Sequence, residues 1–288
     1  MRLEFICEND EIRITAELKK HLSKRMYRHL KGYNIDIYIN GEKKETFEFI
    51  NKGDVITFDY DIEKEVEWPL YESKIDVLFE CDNYLIVNKP SGLLTIPTKC
   101  NPKSLYQEVL FYLKSKNDDS NISILNRLDK DTSGLLMVAK NPYFTNLMSP
   151  IHSKMERRYL ALCHGIFDEK VGRIENKIRR SDDSNKRIIS NDGQIAITNY
   201  KVIEEYDNLS LVEFVLETGR THQIRLHASS INHPICGDDL YGTFDDFDRL
   251  CLHSYYMKFT DPLTLELKEF KKEIDFFGRA WRRKEETI

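Results

Sequence analysis

No apolar run in this 288-residue chain comes near the roughly 20 residues that a membrane-spanning helix needs, and the longest runs, such as Leu135–Ala139, are far shorter. Met1–Asp10 mixes charges with apolar residues and has no signal-peptide core, so a cytoplasmic protein is expected. The six cysteines (Cys7, Cys81, Cys100, Cys163, Cys236, Cys251) are scattered and form no Cys-x-x-Cys pair, and their even number would point to disulfides only in a small secreted chain, which this is not. Reduced, mostly structural thiols are the expectation. There is no long disordered tract and no internal repeat. A hydrophobic content of 41% suits a chain that buries a sizeable core, and the length allows two domains.

The net charge of −5 argues against a nucleic-acid binder only as an average. From Leu18 to Lys31 there are six Lys or Arg, among them Lys24, Arg25 and Arg28, and no acidic residue. Acidic residues concentrate instead in 63–72 and 238–248. Charges act over about a Debye length, roughly 8–10 Å, so this segregation allows a basic face on an acidic protein. A merely solvated helix face is the alternative.

Thr15 and Ser23 are placed to cap two short helices, although Leu18, Leu22, Met26 and Leu30 also allow one continuous helix. Ile35–Ile39 alternates like a strand, Asn40-Gly41 is a strong hairpin turn, and Gly53-Asp54 leads into a strand over Val55–Phe58. Residues 63–74 read as a linker. Beyond them strand signals dominate: Ile75–Glu80 and Tyr84–Asn88 as a hairpin, then Leu135–Lys140 and Arg158–Phe167. Arg187–Ser190 and Gln194–Thr198 flank Asn191-Asp192-Gly193, a long pair turns at Asp207-Asn208, and Leu263–Lys268 reads as a strand. Helices are expected over Ser104–Ser115, after Asn141-Pro142, and over Thr221–Ser230. Hairpins outnumber crossovers, which predicts an α+β fold with a large mixed, mostly antiparallel sheet.

Three clusters carry chemistry. Asn126–Gly134 places Asp129, flanked by Arg127 and Lys130, at the mouth of an apolar strand, where a carboxylate held as an anion can act as nucleophile or base. As a calcium loop it lacks the twelfth-position Glu (Lys140), and Ser133 lacks the Gly-x-Ser-x-Gly setting of a hydrolase. A capped turn without chemistry is the plain alternative. Glu217–His227 packs Arg220, His222, Gln223, Arg225 and His227 into one stretch, costly to bury without anionic partners. Its histidines are not in a His-Glu-x-x-His arrangement, so no metal site is expected. Arg157-Arg158-Tyr159-Leu160 is a basic entry to a strand carrying an aromatic.

In this order and spacing these clusters, with Asn88–Leu93, His233–Asp238 and Leu252-His253, resemble the RluA-like pseudouridine synthases over roughly residues 75–259. Residues 1–62 resemble the small RNA-binding domain named after ribosomal protein S-four. The resemblance implies a catalytic domain over 75–288 that isomerises uridine in RNA without any cofactor. It implies Asp129 as the catalytic aspartate, Tyr159 as the tyrosine stacked on the base, and Arg225 as the arginine paired with the aspartate. It further implies Leu226 in the pocket floor, Arg127 on the RNA beside the extruded nucleotide, and Lys24, Arg25 and Arg28 on RNA. The RNA partner is expected to be ribosomal, with tRNA open, and the protein a monomer with no membrane partner. One departure stands out: Asn126 occupies the position where the family usually has His. A non-catalytic RNA-binding assembly factor on the same fold is the rival reading.

Overall fold

The computed structural model describes residues 2–22, 27, 30, 35–59, 70–98, 103–151, 154–242, 245–274 and 276. The chain divides into two compact units, Met1–Glu67 and Trp68–Ile288.

The first unit holds β1 (Arg2–Ile6), β2 (Ile12–Arg13), α1 (Ile14–His21), β3 (Ile37–Ile39), β4 (Glu42–Lys44), β5 (Phe49–Ile50) and β6 (Val55–Asp59). Its main sheet runs β1-β6-β3-β4, all antiparallel, and β2 pairs with β5. Ile14, Leu18 and Leu22, four residues apart, pack on Ile37, Ile56 and Phe58 of that sheet. The expected hairpin turn is there: Asn40 and Gly41 both have positive φ (52° and 88°), the two-residue geometry that suits this dipeptide. The cap of α1 is not the expected one. The helix begins at Ile14, and the amides of Ile14 and Thr15 donate to the carbonyls of Glu48 and Thr46, so the turn that precedes β5 does what the Thr15 hydroxyl was expected to do. Strand β1 was not foreseen. Ser23, Lys24, Arg25 and Arg28 lie outside the described residues.

The second unit contains β7 (Asp76–Glu80), β8 (Tyr84–Lys89), α2 (Leu105–Ser115), β9 (Ser123–Ile124), β10 (Ser133–Ala139), α3 (Pro142–Met148) and β11 (Glu156–His164). There follow β12 (Val171–Arg180), β13 (Arg187–Ile189), β14 (Gln194–Tyr206), β15 (Leu209–Leu216), α4 (Gln223–Ser230), β16 (Leu252–Thr260) and β17 (Leu267–Lys271). These strands form one sheet ordered β13-β12-β14-β15-β11-β16-β10-β8-β7, with β17 beside β16 and β9 beside β10. Among the described pairings of this sheet only β10 with β16 is parallel, as expected for a mixed, mostly antiparallel sheet. One face packs on α2 through Leu105, Val109 and Leu113 and on α4 through Ile224 and Ala228. The other packs on α3, where Phe144 stacks on Tyr84 with ring centres 4.9 Å apart. Helix α3 starts as expected, with Asn141 Oδ1 accepting from the Phe144 amide (2.8 Å) and Pro142 at the first helical position.

Two expectations are corrected. Asn191-Asp192-Gly193 does not turn a hairpin between paired strands, because β13 and β14 lie on opposite sides of β12. The chain crosses at Gly193, where a Cβ would come within 2.7 Å of the Ile178 backbone, so the glycine serves a close approach. The last strand begins at Leu267 rather than Leu263. The Asp261 carboxylate accepts from the amides of Leu263 and Thr264 and holds those residues in a turn.

Candidate active site

Strand register decides which residues meet. Along one line across the sheet, Phe214 of β15 is opposite Tyr159 of β11, Tyr159 opposite Ser254 of β16, Ser254 opposite Gly134 of β10, and Gly134 opposite Lys89 of β8. Gly134 (φ +119°) is pressed on β16 so closely that a Cβ would lie 2.3 Å from the Ser254 carbonyl oxygen. Tyr159 is thereby brought level with the end of β10 from which the Asp129 loop emerges.

That loop is held through its backbone. Leu125 still pairs with β10, its amide donating to the Met137 carbonyl. Asn126 then continues the ladder with its side chain: Oδ1 accepts from the Met137 amide at 2.8 Å. The residue that departs from the family pattern thus anchors the start of the loop to the sheet. Beyond it the Leu128 carbonyl accepts from Thr95 Oγ1 (2.7 Å), the Lys130 carbonyl from Lys89 Nζ (2.8 Å) and the Gly92 amide (3.0 Å), and the Asp131 carbonyl from Ser91 Oγ (2.6 Å). Lys89 is fully buried and also donates to the carbonyls of Pro90 and Leu93. Burial lowers its pKa to about 8, against the pull of Asp131 and Asp129. Asp129 itself is half-buried and Arg127 is exposed. Among the described residues no side chain bonds the Asp129 carboxylate.

Farther along the same strand end, Ser133 Oγ accepts from Arg249 Nη2 (2.6 Å) and lies 2.8 Å from His253 Nδ1. Nε2 of His253 donates to the Lys272 carbonyl (3.1 Å), so Nδ1 is the acceptor of the serine hydroxyl. Burial lowers the His253 pKa to about 4, which keeps this ring neutral.

Tyr159 is 5% exposed, and burial raises its pKa, so it presents a protonated phenol. Asp129 acts electrostatically on Tyr159, Arg225, His222, Tyr241 and Lys89, which defines one shared neighbourhood. Arg225 does not take Asp129 as its direct partner: Nε and Nη2 donate to the two oxygens of Asp238 at 2.8 and 2.6 Å. The Leu240 and Tyr241 amides donate to the same carboxylate. Burial would raise the Asp238 pKa, and Arg225 with these two amides more than offsets it, so the group stays ionised. The Arg225 guanidinium also lies over the Tyr241 ring, 5.4 Å from its centre. Leu226 is half-buried.

Helix α4 is positioned by the polar residues next to Arg225. Gln223 Oε1 accepts from Thr218 Oγ1 and the Arg220 amide (both 2.9 Å), while Nε2 donates to the Ile197 carbonyl and Thr198 Oγ1. His227 Nδ1 lies 2.8 Å from Thr198 Oγ1, and burial lowers its pKa to about 4. His222, at the start of the helix, adopts a left-handed backbone (φ 57°) and bonds Tyr241 Oη through Nδ1 at 3.0 Å. Burial lowers its pKa, opposed by Asp129 and aided by Arg225 and Arg187. Tyr241 Oη also accepts from the Arg187 amide (2.6 Å) and so ties β13 to α4.

Asp238, Tyr241 and Lys89 were not among the expected site residues. Asp238 and Lys89 fall within stretches that carried the resemblance, whereas Tyr241 gives no signal in the sequence. Away from the site, His164 Nε2, Cys236 Sγ and an Asp245 carboxylate oxygen gather within 4.8 Å of one another. A His164–Asp245 bond of 2.7 Å and the Gly237 amide on the same oxygen account for that cluster without an ion.

The sequence pattern of the RNA pseudouridylate synthase family matches residues 83–230. An uncharacterized RNA pseudouridine synthase of Bacillus subtilis, YjbO, is 34% identical over 86% of this chain and 90% of its own length. The ribosomal large subunit pseudouridine synthase D of Yersinia pestis is 32% identical over 79% of this chain and 76% of its own. A solved structure, human RNA Pseudouridylate Synthase Domain Containing 1, shares the fold with a TM-score of 0.61 at 24% identity, covering 72% of this chain and 86% of that one. The chain belongs to the RNA pseudouridylate synthase family, the family to which the RluA-like resemblance pointed.

Proposed function

We propose that this chain is an RluA-like enzyme that converts uridines of large-subunit ribosomal RNA to pseudouridine, with Asp129 as its catalytic carboxylate. The observation that carries the reading is the meeting of three distant segments at one end of the sheet: the Asp129 loop, Tyr159 of β11, and α4 with Arg225. The large-subunit target is suggested by relatives whose names specify it.

The reaction breaks the bond between N1 of the base and C1′ of the ribose, turns the base, and joins C5 to C1′. N1 gains a proton and C5 releases one, so no electrons are exchanged. Reaching the base requires extruding the nucleotide, at a cost of a few kcal/mol. In this reading Asp129 acts on the ribose with oxygens that no donor among the described residues occupies. Tyr159 stacks on the base, its position set by β16, and Leu226 closes the pocket floor. Arg225, fixed in place by Asp238, keeps its guanidinium in the electrostatic neighbourhood of Asp129. Arg127, exposed at the loop, contacts the RNA next to the extruded nucleotide. The first unit adds an S-four-like surface through Lys24, Arg25 and Arg28, and the protein works in the cytoplasm as a monomer.

The test is tritium release from ribosomal RNA transcribed with uridine labelled at ring carbon 5. The wild-type chain should release tritium, and Asp129→Asn should release none while binding the RNA within about tenfold of wild type. Normal turnover by Asp129→Asn removes the aspartate from the mechanism. Binding without release by the wild-type chain leaves the assembly-factor reading instead.

A further inference from the structure

Beside the start of α4 lies a second concavity of about 420 Å³ that the site above does not use. Four arginines line it: Arg179 and Arg180 at the end of β12, Arg187 at the start of β13, and Arg220 just before α4. They come from three chain segments, and in a chain of net charge −5 such a gathering needs a cause.

The four are not equivalent. Arg179 is neutralised by Asp182 and Asp192, at 3.1 and 3.2 Å. The other three form no ion pair among the described residues. Arg180 donates to the Asn185 side-chain oxygen (2.6 Å) and, weakly, to the Ser184 carbonyl. Arg220 donates to the Ile195 carbonyl (3.1 Å). Arg187 keeps a buried Nε without an acceptor among the described residues. A buried guanidinium donor left unbonded costs free energy that an anionic oxygen would recover, and the planar fork of Arg suits the paired oxygens of a phosphate.

The cleft adjoins the catalytic neighbourhood. Arg187 acts on the His222 ring together with Asp129, and its amide donates to the phenol that His222 also bonds. Gly193 lines the cleft where the chain crosses β12, so no side chain rises from that position.

We infer that Arg180, Arg187 and Arg220 form a binding site for the sugar-phosphate backbone of the RNA strand beside the extruded uridine. This rests on the proposed function for the identity of the ligand and not for the existence of an anion site. Contacts to phosphates hold register and carry no base preference, so the site would strengthen binding to any target strand alike. Its energy would help to offset the cost of extruding the nucleotide.

The experiment measures the salt dependence of binding for a single-stranded, uridine-rich RNA. Each phosphate contact to a single strand contributes about 0.7 to the slope of log affinity against log salt concentration, so R180Q/R187Q/R220Q should flatten that slope by about 2. Replacing the same three by Lys should keep most of the slope, because charge remains, while lowering affinity, because the fork is lost. Arg173→Gln, at an exposed residue of β12 already paired with Glu175 and Glu217, should leave the slope unchanged. An unchanged slope in the triple Gln variant, with its circular dichroism intact, overturns the site. An equal loss with Arg173→Gln also overturns it, since the effect would then be one of net charge. Tritium release by the wild-type chain is scored separately, so failure of the catalytic reading is distinguishable from failure of this one.

Discussion

Removing the Asp238 carboxylate should cost more than removing the arginine it holds. Arg225 is 6% exposed and Asp238 1%, joined by two parallel hydrogen bonds. In Asp238→Asn the guanidinium stays buried with its charge and loses its paired acceptor, a change that costs about 3–5 kcal/mol. In Arg225→Met the carboxylate keeps the amides of Leu240 and Tyr241, so the loss is closer to the ~2 kcal/mol of charged hydrogen bonds. The double variant has no stranded charge and should be less destabilised than the sum of the singles, by roughly 1–3 kcal/mol. Urea unfolding followed by far-ultraviolet circular dichroism measures all three. Because the folded Asp238 pKa lies below its ordinary 3.8, the stability it contributes is present above that value and lost as pH falls through the folded one. The gap between wild type and Asp238→Asn should therefore narrow below about pH 4. If the single losses add within about 0.5 kcal/mol, or Arg225→Met proves the costlier change, the reasoning about the stranded charge is wrong.

Two further outcomes follow from the backbone that carries Asp129. The Lys89 ammonium loses its proton near pH 8 in the folded chain, against 10.5 for an ordinary lysine. Between these values the unfolded chain binds more protons, so wild-type stability should rise with pH by up to about 1.4 kcal/mol per unit relative to Lys89→Met. A difference curve that stays flat across that range refutes the burial argument. Gly134→Ala places a methyl 2.3 Å from the Ser254 oxygen at a φ that disfavours side chains. It should separate β10 from β16, destabilise the unit by more than about 3 kcal/mol, and abolish tritium release. Wild-type thermal stability in that variant would show that the two strands have room to spare.

What could be read from the sequence follows the range of the forces involved. The turn at Asn40-Gly41, the cap at Asn141 and the buried strand after Gly134 are local, and each stands where expected. The crossing at Gly193 was hidden because a glycine before a strand reads the same whether the chain reverses or steps over its neighbour. The start of α1 was misplaced because its amides are satisfied by residues 46–48, beyond any local window. In the candidate site, Asp129, Tyr159 and Arg225 stood out in the sequence as parts of a spaced pattern. The partner of Arg225 did not, since two carboxylates compete for one guanidinium and only packing decides between them. Asn126 read as a departure from the family pattern near Asp129, and in the fold it supplies a strand hydrogen bond.

The neighbours of β16 bear on what any shortened version of this protein can do. Residues 83–230 carry the family's signature together with Asp129, Tyr159 and Arg225, yet the strand that separates β10 from β11 is drawn from 252–260. A piece cut at the edges of that signature would keep Asp129 and Tyr159 but lose the strand that stands between β10 and β11.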